Sequence, residues 1–257
     1  MKDDVQGGAA PPESYRQSHL QPGYGVSYDE VFVENPHRAL VWKLEREVLD
    51  RIVERRGDAG TLRHLDFACG TGRILAHLEP RAALSVGVDL SPAMLDVARR
   101  KVHKASFVQA DLTQGDVLGQ ARFDLITAFR FFPNAEPSLR REAMAALVRH
   151  LAPGGYLVFN NHCHTASLLA RLAHLLKRGG RGGMSQAEVD NLTASAGLKI
   201  VETYGVGLVP ATERHLWLPL FVLRPLETAV TRLRLFRGLA QVRIFVCSRP
   251  EQTGSGA

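Results

Sequence analysis

Three aspartates mark short apolar runs in the first half of the chain. Asp66, Asp89 and Asp111 recur at nearly equal intervals, each within or directly after such a run. A carboxylate accepts hydrogen bonds from ribose hydroxyls or from an amino group. Gly70 and Gly72 follow the first aspartate, and glycine allows a ligand to approach the backbone closely. The helix expected next would direct its unpaired N–H groups at that ligand. These residues predict a binding site for a polar ligand.

Two familiar glycine loops do not fit this turn. A phosphate-binding P-loop ends in Gly-Lys-Ser/Thr, whereas Gly72 is followed by Arg73. A dinucleotide-binding turn needs a third glycine, and that position is Leu75. Neither a P-loop nor a dinucleotide site is therefore predicted.

Short apolar runs alternate with helical periodicity through the first two thirds of the chain. We predict strands at 63–67, 84–89, 106–110, 123–129 and 156–160, and helices at 36–56, from 73, from 92 and at 138–151. This alternation indicates a parallel sheet covered by helices on both faces. Ligands of such sheets bind beyond the carboxyl ends of the strands, which is where the aspartates fall.

The last third of the sequence is less regular. A helix is predicted at 165–177, a capping box at Ser185 and Glu188 opens another helix, and strands are predicted at 198–204 and 242–248. Between these strands lies an insertion, residues 205–241, with an apolar run followed by basic residues. Pro219 and Pro225 interrupt the segment 216–237, so it is not predicted to form one simple helix.

The order of these motifs resembles the class I S-adenosylmethionine-dependent methyltransferases. The segments that carry the resemblance are 65–75, 86–94, 107–111, 123–126 and 151–157. Ala68 stands where the first glycine of that family's glycine motif usually lies. The resemblance implies a Rossmann-like α/β fold, with a seven-stranded sheet that is mostly parallel and has its last strand antiparallel. It also implies S-adenosyl-L-methionine as the methyl donor.

The resemblance implies roles for individual residues. The methionine part of the donor would be bound by Asp66, Ala68, Gly70 and Gly72. The ribose would be bound by Asp89, and the adenine by Asp111 and Leu112, with Leu90 and Met94 packed near the base. Tyr24, in the region of the usual lid, either closes over the donor or packs beneath the first helix. Phe129, with Phe131 and Phe132, either flanks the sulfonium or belongs to the core.

Methyl transfer by in-line displacement requires mainly positioning. A base is needed only where the acceptor must lose a proton. His162 and His164 follow the fifth predicted strand, and each is either that base or a polar loop residue. No metal site is expected, because no further ligand cluster accompanies these histidines.

The composition indicates a single large domain. The chain has 257 residues and a formal net charge of +6, and its three cysteines are widely spaced. We predict a flexible segment at 1–23, one domain at 24–250 and a flexible tail at 251–257. The domain divides into a lid helix region at 24–60, a donor-binding core at 61–162 and a C-terminal part at 163–250. The sequence predicts no signal peptide and no membrane span, and the cysteine usage favours the cytoplasm.

The sequence therefore predicts an enzyme that methylates an oxygen or nitrogen of a small molecule, of the sugar or natural-product type. An RNA methyltransferase and a non-catalytic S-adenosylmethionine-binding module remain as alternatives. The basic residues are scattered, so a nucleic-acid partner is not favoured. The basic segment 216–237 either rests on a membrane surface or lines the acceptor pocket. The sequence does not predict an oligomeric state.

Overall fold

A computed structural model describes residues 15–16, 34–58, 60–162, 164–175, 183–209, 218–233 and 235–250. The predicted segment 251–257 and the lid residue Tyr24 lie outside these ranges. Of the predicted segment 1–23, only Tyr15 and Arg16 lie within them.

The described residues form one sheet and seven α-helices. The strands are β1 (Leu62–Phe67), β2 (Ala82–Asp89), β3 (Ser106–Gln109), β4 (Phe123–Ala128), β5 (Leu151–His162), β6 (Lys199–Val206) and β7 (Val242–Ser248). The helices are α1 (Pro36–Arg56), α2 (Arg73–Leu78), α3 (Pro92–Lys101), α4 (Pro137–His150), α5 (Leu168–Leu175), α6 (Gln186–Ser195) and α7 (Leu220–Arg232).

The seven strands are ordered β3-β2-β1-β4-β5-β7-β6. Strands β1 to β5 pair in parallel, and β7 pairs antiparallel with both β5 and β6. The predicted fold, a mostly parallel sheet whose last strand is antiparallel, is confirmed. The order changes direction between β1 and β4, and in open α/β sheets ligands bind at such a switch point.

Local sequence signals set the bounds of the first helix. The side chain of Asn35 accepts hydrogen bonds from the backbone N–H groups of His37 and Arg38, and Pro36 occupies the first turn. Gly57 ends the helix with a φ of 72°. Since each signal acts within a few residues, the predicted helix 36–56 agrees with the observed α1.

Apolar side chains pack against both faces of the sheet. On one face, α1, α2 and α7 bury residues such as Leu44, Ile74 and Leu223. On the other, α4 and α6 bury residues such as Leu147 and Val189. This packing fixes the strands, and so it fixes the loops at their carboxyl ends.

The structure differs from two local predictions. The fifth strand begins at Leu151 rather than at 156, and residues 153–155, where Gly154 has a φ of 68°, fall at a register shift within it. The segment 216–237 is not a single helix, since α7 covers only Leu220–Arg232 of it, but Pro225 does not interrupt that helix. Pro219 is the N-cap of α7, and Pro225 lies within the helix. A proline removes a single intrahelical hydrogen bond, and packing of Leu223 offsets that loss. No helix within the described ranges is long and apolar enough to cross a membrane.

Candidate active site

A cavity of about 510 Å³ opens where the parallel strands end. Asp89 ends β2, Asp111 follows β3, Phe129 follows β4 and His162 ends β5, and all four line the cavity. Five other predicted site residues also line it, namely Ala68, Gly70, Leu90, Met94 and Leu112. Most of the predicted donor site is therefore brought together at one place.

The glycine turn and Asp89 are joined by hydrogen bonds. The backbone N–H of Gly70 donates to Asp89 Oδ2 at 2.7 Å, and that of Ser91 donates to Asp89 Oδ1 at 2.8 Å. A Cβ at Gly70 would meet nothing within 4 Å, so this glycine faces open space. A Cβ at Gly72 would lie 3.0 Å from the side chain of Ala98. Gly72 therefore serves helix packing, and it does not line the cavity.

Ala68 has an unusual backbone conformation. Its φ of 51° lies in the left-handed region, which residues with a Cβ occupy at a cost of roughly 1–2 kcal/mol. Its position in the family motif usually carries glycine, which has no such penalty. The turn is therefore strained at this point of the cavity wall.

Asp66 lies beneath the turn, with 2% of its surface exposed. The Thr127 hydroxyl donates to its Oδ1 at 2.6 Å, and that hydroxyl also lies 2.8 Å from His64 Nε2. Its Oδ2 has no hydrogen-bond partner among the described residues. Burial raises the pKa of Asp66 to about 7, although the Thr127 hydrogen bond and the charge of Arg73 act against that rise. A buried carboxylate oxygen without a partner suits a ligand that brings an N–H or ammonium group.

Both oxygens of Asp111 are engaged by the protein. Thr113 donates to Oδ1 from its backbone N–H at 2.9 Å and from its hydroxyl at 2.6 Å. Arg16 Nε donates to Oδ2 at 2.7 Å. Partial burial pushes the pKa of Asp111 upward, but the hydrogen bonds from Thr113 and Arg16 outweigh it and hold the pKa below its usual value.

Sequence reasoning missed Tyr15 and Arg16, because they lie in a segment without periodicity. The backbone N–H of Tyr15 donates to Glu136 at 2.6 Å, and its ring lies 5.2 Å from that of Phe131. Both Tyr15 and Arg16 line the cavity. This part of the N-terminal segment therefore closes over the Asp111 end of the site.

The three aromatic residues after β4 divide between two roles. Phe129 and Phe131 line the cavity while being largely buried. Phe132 is fully buried, and its ring packs 4.9 Å from that of Phe159. Phe132 is therefore a core residue, whereas the other two give the cavity apolar walls.

The two candidate bases lie in different surroundings. His162 is half-buried and lines the cavity. His164 is fully buried, does not line the cavity, and its Nδ1 accepts a hydrogen bond from the N–H of Ala166 at 3.0 Å. Burial, followed by the charge of Arg243, lowers the pKa of His164 to about 4. Among the described residues, no group of three or more His, Cys, Asp or Glu is placed to hold a metal ion.

A buried polar network supports the cavity at the end of β4. The backbone N–H of Arg130, whose φ is 61°, donates to Asn160 Oδ1 at 2.6 Å. Asn160 Nδ2 in turn donates at 2.9 Å to Glu45, which is fully buried on α1. Asn134 donates to the Arg130 carbonyl at 2.6 Å. No sequence signal linked these residues, because Glu45 and Asn160 are 115 positions apart.

The cavity therefore has two chemically different walls. We call the part lined by Ala68, Gly70, Asp89 and Asp111 the aspartate wall, since it covers the ends of β1 to β3. The part lined by Arg38, Arg130 and His162, at the ends of α1, β4 and β5, is the arginine wall. No described residue of the insertion 205–241 lines this cavity.

Comparison with known proteins adds sequence similarity to this geometry. Residues 65–155 match a family described as "Methyltransferase domain". A dTDP-4-amino-2,3,4,6-tetradeoxy-D-glucose N,N-dimethyltransferase from Saccharopolyspora spinosa is 34% identical over 145 residues, which are 55% of each chain. A dTDP-3-amino-3,4,6-trideoxy-alpha-D-glucopyranose N,N-dimethyltransferase from Streptomyces venezuelae is 30% identical over 113 residues, 44% of this chain and 46% of that protein. The chain thus spans about half the length of these curated relatives.

The fold also matches solved structures. Magnesium protoporphyrin IX methyltransferase from Synechocystis PCC 6803, solved with bound SAH, has a TM-score of 0.63 and 15% identity. The match covers 89% of this chain and 95% of that one. Together with the sequence matches, it confirms the resemblance that the motifs indicate.

Proposed function

We propose that this chain, as a class I S-adenosylmethionine-dependent methyltransferase, methylates an oxygen or nitrogen of a small molecule. The carrying observation is the aspartate wall, in which Asp89 and the glycine turn are joined by hydrogen bonds at the strand ends. The acceptor we propose is of the sugar or natural-product type. Two relatives are named as N,N-dimethyltransferases of amino sugars, which supports this class.

The residues of the aspartate wall, together with Asp66 beneath the glycine turn, fit the donor from one end to the other. The free Oδ2 of Asp66 suits the ammonium of the methionine part, and Gly70 leaves room for close backbone approach. The half-buried carboxylate of Asp89 suits the two ribose hydroxyls. Asp111 and the apolar Leu112 suit the adenine, with Arg16 above them.

The arginine wall suits the acceptor. S-adenosylmethionine, when bound, supplies an activated methyl carbon for in-line displacement. Phe129 and Phe131 present apolar surface beside the cavity, which excludes water and tolerates a cation. His162 would take the proton of an acceptor hydroxyl or amine, since it is the candidate base that lines the cavity. The main contribution of the chain is orientation of the two reactants, worth roughly 7–11 kcal/mol in well-aligned cases.

The donor assignment is tested by calorimetry with S-adenosylhomocysteine on an Asp89→Ala variant. Each hydrogen bond to a charged carboxylate is worth about 1.5–3 kcal/mol, so affinity should fall by at least about tenfold. The matched control is Asp96→Ala, which removes an exposed carboxylate from α3. Equal affinity of the Asp89→Ala and parent proteins would remove the ribose assignment.

The acceptor class is tested by release of S-adenosylhomocysteine across a panel of amino sugar nucleotides, phenols, amines and transfer RNA. We expect turnover with a small molecule and weak dependence on salt. Turnover on RNA that falls steeply with added salt would identify an RNA methyltransferase instead. Tight donor binding without turnover on any acceptor would favour a binding module.

A further inference from the structure

The described part of the insertion carries a helix whose outward side is apolar. In α7, the residues that face the protein body are Leu223, Glu227 and Thr231, which recur every four positions. At 3.6 residues per turn, Phe221, Ala229 and Leu233 lie on the opposite side. Phe221 is 79% exposed and Leu233 is 67% exposed.

The turn after the helix extends this surface. Leu235 and Phe236 are also exposed, the latter at 63%. Val222 and Leu226 are 39% and 43% exposed on α7, so six exposed large apolar residues lie on the helix and the turn that follows it. We call this surface the α7 face, made of Phe221, Val222, Leu226, Leu233, Leu235 and Phe236. Singly exposed apolar residues are ordinary, but a patch of this kind marks an interaction site.

The segment that carries the α7 face contributes mainly positive charge, although Arg232 at the end of the helix pairs with Glu47 of α1 at 3.1 Å. The segment 218–240 contains four arginines, at positions 224, 232, 234 and 237, and one acidic residue, Glu227. Glu227 is buried, and its carboxylate accepts hydrogen bonds from the N–H groups of Leu208 and Val209 at 3.0 and 2.6 Å. Arg224 and Arg237 are exposed. The face therefore offers apolar side chains and positive charge without exposed negative charge of its own.

We propose that the α7 face docks on an anionic lipid surface. An interfacial helix combines Phe and Leu on one side with arginines at its margin. Its affinity for the membrane comes both from burial of the apolar side chains in the headgroup region and from attraction of the arginines to anionic lipids. A second copy of this chain fits less well, because a two-fold interface places the same surface on both sides and would bring arginines toward arginines. Docking would hold the enzyme at a membrane while leaving its cavity, which no described residue of the insertion lines, open to an acceptor.

The proposal is tested by co-sedimentation of the full chain with vesicles. We expect binding to phosphatidylcholine vesicles containing about one-third phosphatidylglycerol, weakened by salt, and little binding to phosphatidylcholine alone. Phe221→Ser with Phe236→Ser keeps the net charge and should reduce binding by at least about tenfold. The matched control is Val117→Ser, a substitution of another exposed apolar residue outside the insertion. Affinity for S-adenosylhomocysteine should be the same in all three proteins, which shows that each is folded.

Three outcomes would overturn the proposal. The first is that the parent protein does not bind the anionic vesicles at low salt. The second is that the double variant binds them as well as the parent does, which would mean that net charge alone explains binding. Alternatively, sedimentation equilibrium would show self-association that the double variant abolishes, which would make the α7 face an interface between copies.

Discussion

The two walls of the cavity are built in different ways. In the aspartate wall, each carboxylate accepts hydrogen bonds from a residue two positions on, Asp89 from Ser91 and Asp111 from Thr113, and each also accepts one from further away, Asp89 from Gly70 and Asp111 from Arg16. In the arginine wall, Arg130 depends on Asn160, and Asn160 depends on Glu45, 115 positions away. The aspartate wall therefore rests partly on local sequence, whereas these supports of the arginine wall form only in the completed fold.

This difference suits the two proposed ligands. A donor common to a whole family is bound by short motifs that recur with their spacing. The proposed acceptor would be met by side chains from α1, β4 and β5, which can be substituted without changing those motifs. The following predictions test whether the two walls are separate in this way.

The strongest test of the arginine wall is His162→Ala. If His162 is the base, the rate of methyl transfer to the acceptor found by the panel should fall by about 10²–10⁴-fold. Donor affinity should stay the same, because the aspartate wall is untouched. Single-turnover rates as a function of pH, with His162→Gln as the conservative control, measure the effect. Full activity of His162→Ala would remove the assignment.

The support of the same wall is tested by Asn160→Ala. This change leaves the buried Glu45 without its amide partner and should lower the free energy of unfolding by about 3 kcal/mol. Urea denaturation measures the loss. Replacing both partners, with Asn160→Leu and Glu45→Met, should restore part of the stability, because no carboxyl then remains buried without a partner, while the backbone N–H of Arg130 still lacks its acceptor. Simple additivity of the two single changes would show that the pair is not coupled.

Donor binding should respond to pH through Asp66, which lies beneath the glycine turn and does not itself line the cavity. Because its pKa is raised to about 7, the carboxyl must lose a proton before it can bind the donor's ammonium. Donor affinity should therefore fall by up to about tenfold for each pH unit below 7. Calorimetry at several pH values checks this, and Asp66→Asn should remove the dependence. A parent protein and Asp66→Asn with the same pH profile would contradict the role.

The raised pKa of Asp66 also makes the stability of the donor-free protein depend on pH. Asp66 ionises near pH 4 in the unfolded chain and near pH 7 in the folded one. Its contribution should lower stability as pH rises between these values, because the folded state retains a proton that the unfolded state has lost. Urea denaturation of the parent and Asp66→Asn at both limits measures this contribution.

The smallest expected effect is that of Ala68→Gly. Glycine relieves the left-handed backbone at this position, and the unfolded-chain entropy of glycine cancels part of the gain, so stability should rise by up to about 1 kcal/mol. Thermal unfolding measures it. Gly154→Ala, at another position of positive φ, is the converse control and should destabilise the protein. A less stable Ala68→Gly protein would show that the turn is not strained.

Sequence reasoning succeeded where the physical signal was local. The bounds of α1 follow from Asn35, Pro36 and Gly57, and those of β7 from a run that is apolar apart from Arg243. The capping box predicted at Ser185 is present, with Glu188 bonded to the Ser185 backbone N–H at 2.7 Å. Most residues predicted for the donor site line the cavity for the same reason.

It failed where the outcome depended on distant partners. Arg16 bonds to Asp111, which is 95 positions away in the sequence, and no pattern in the segment around Arg16 predicts that contact. His162 and His164 are two residues apart, yet His162 ends β5 and lines the cavity, whereas His164 is buried beyond the strand and does not line it. Pro225 is tolerated in α7 because tertiary packing outweighs the local penalty. In each case the deciding interaction is absent from the neighbouring sequence.

The position of β7 also has a consequence for how the molecule is made. Strands β1 to β3, which carry the aspartate wall, and β4 precede β5 in the chain and pair with one another. Among the described strands, β7 pairs with the edge of β5 that faces away from β4, and His162 lies opposite Val242 there. As the chain emerges from the ribosome, β1 to β4 are synthesised early, whereas one edge of β5 stays unpaired until β7 has been synthesised. Unpaired edges promote aggregation, so the interval before β7 is synthesised is when this protein most needs protection.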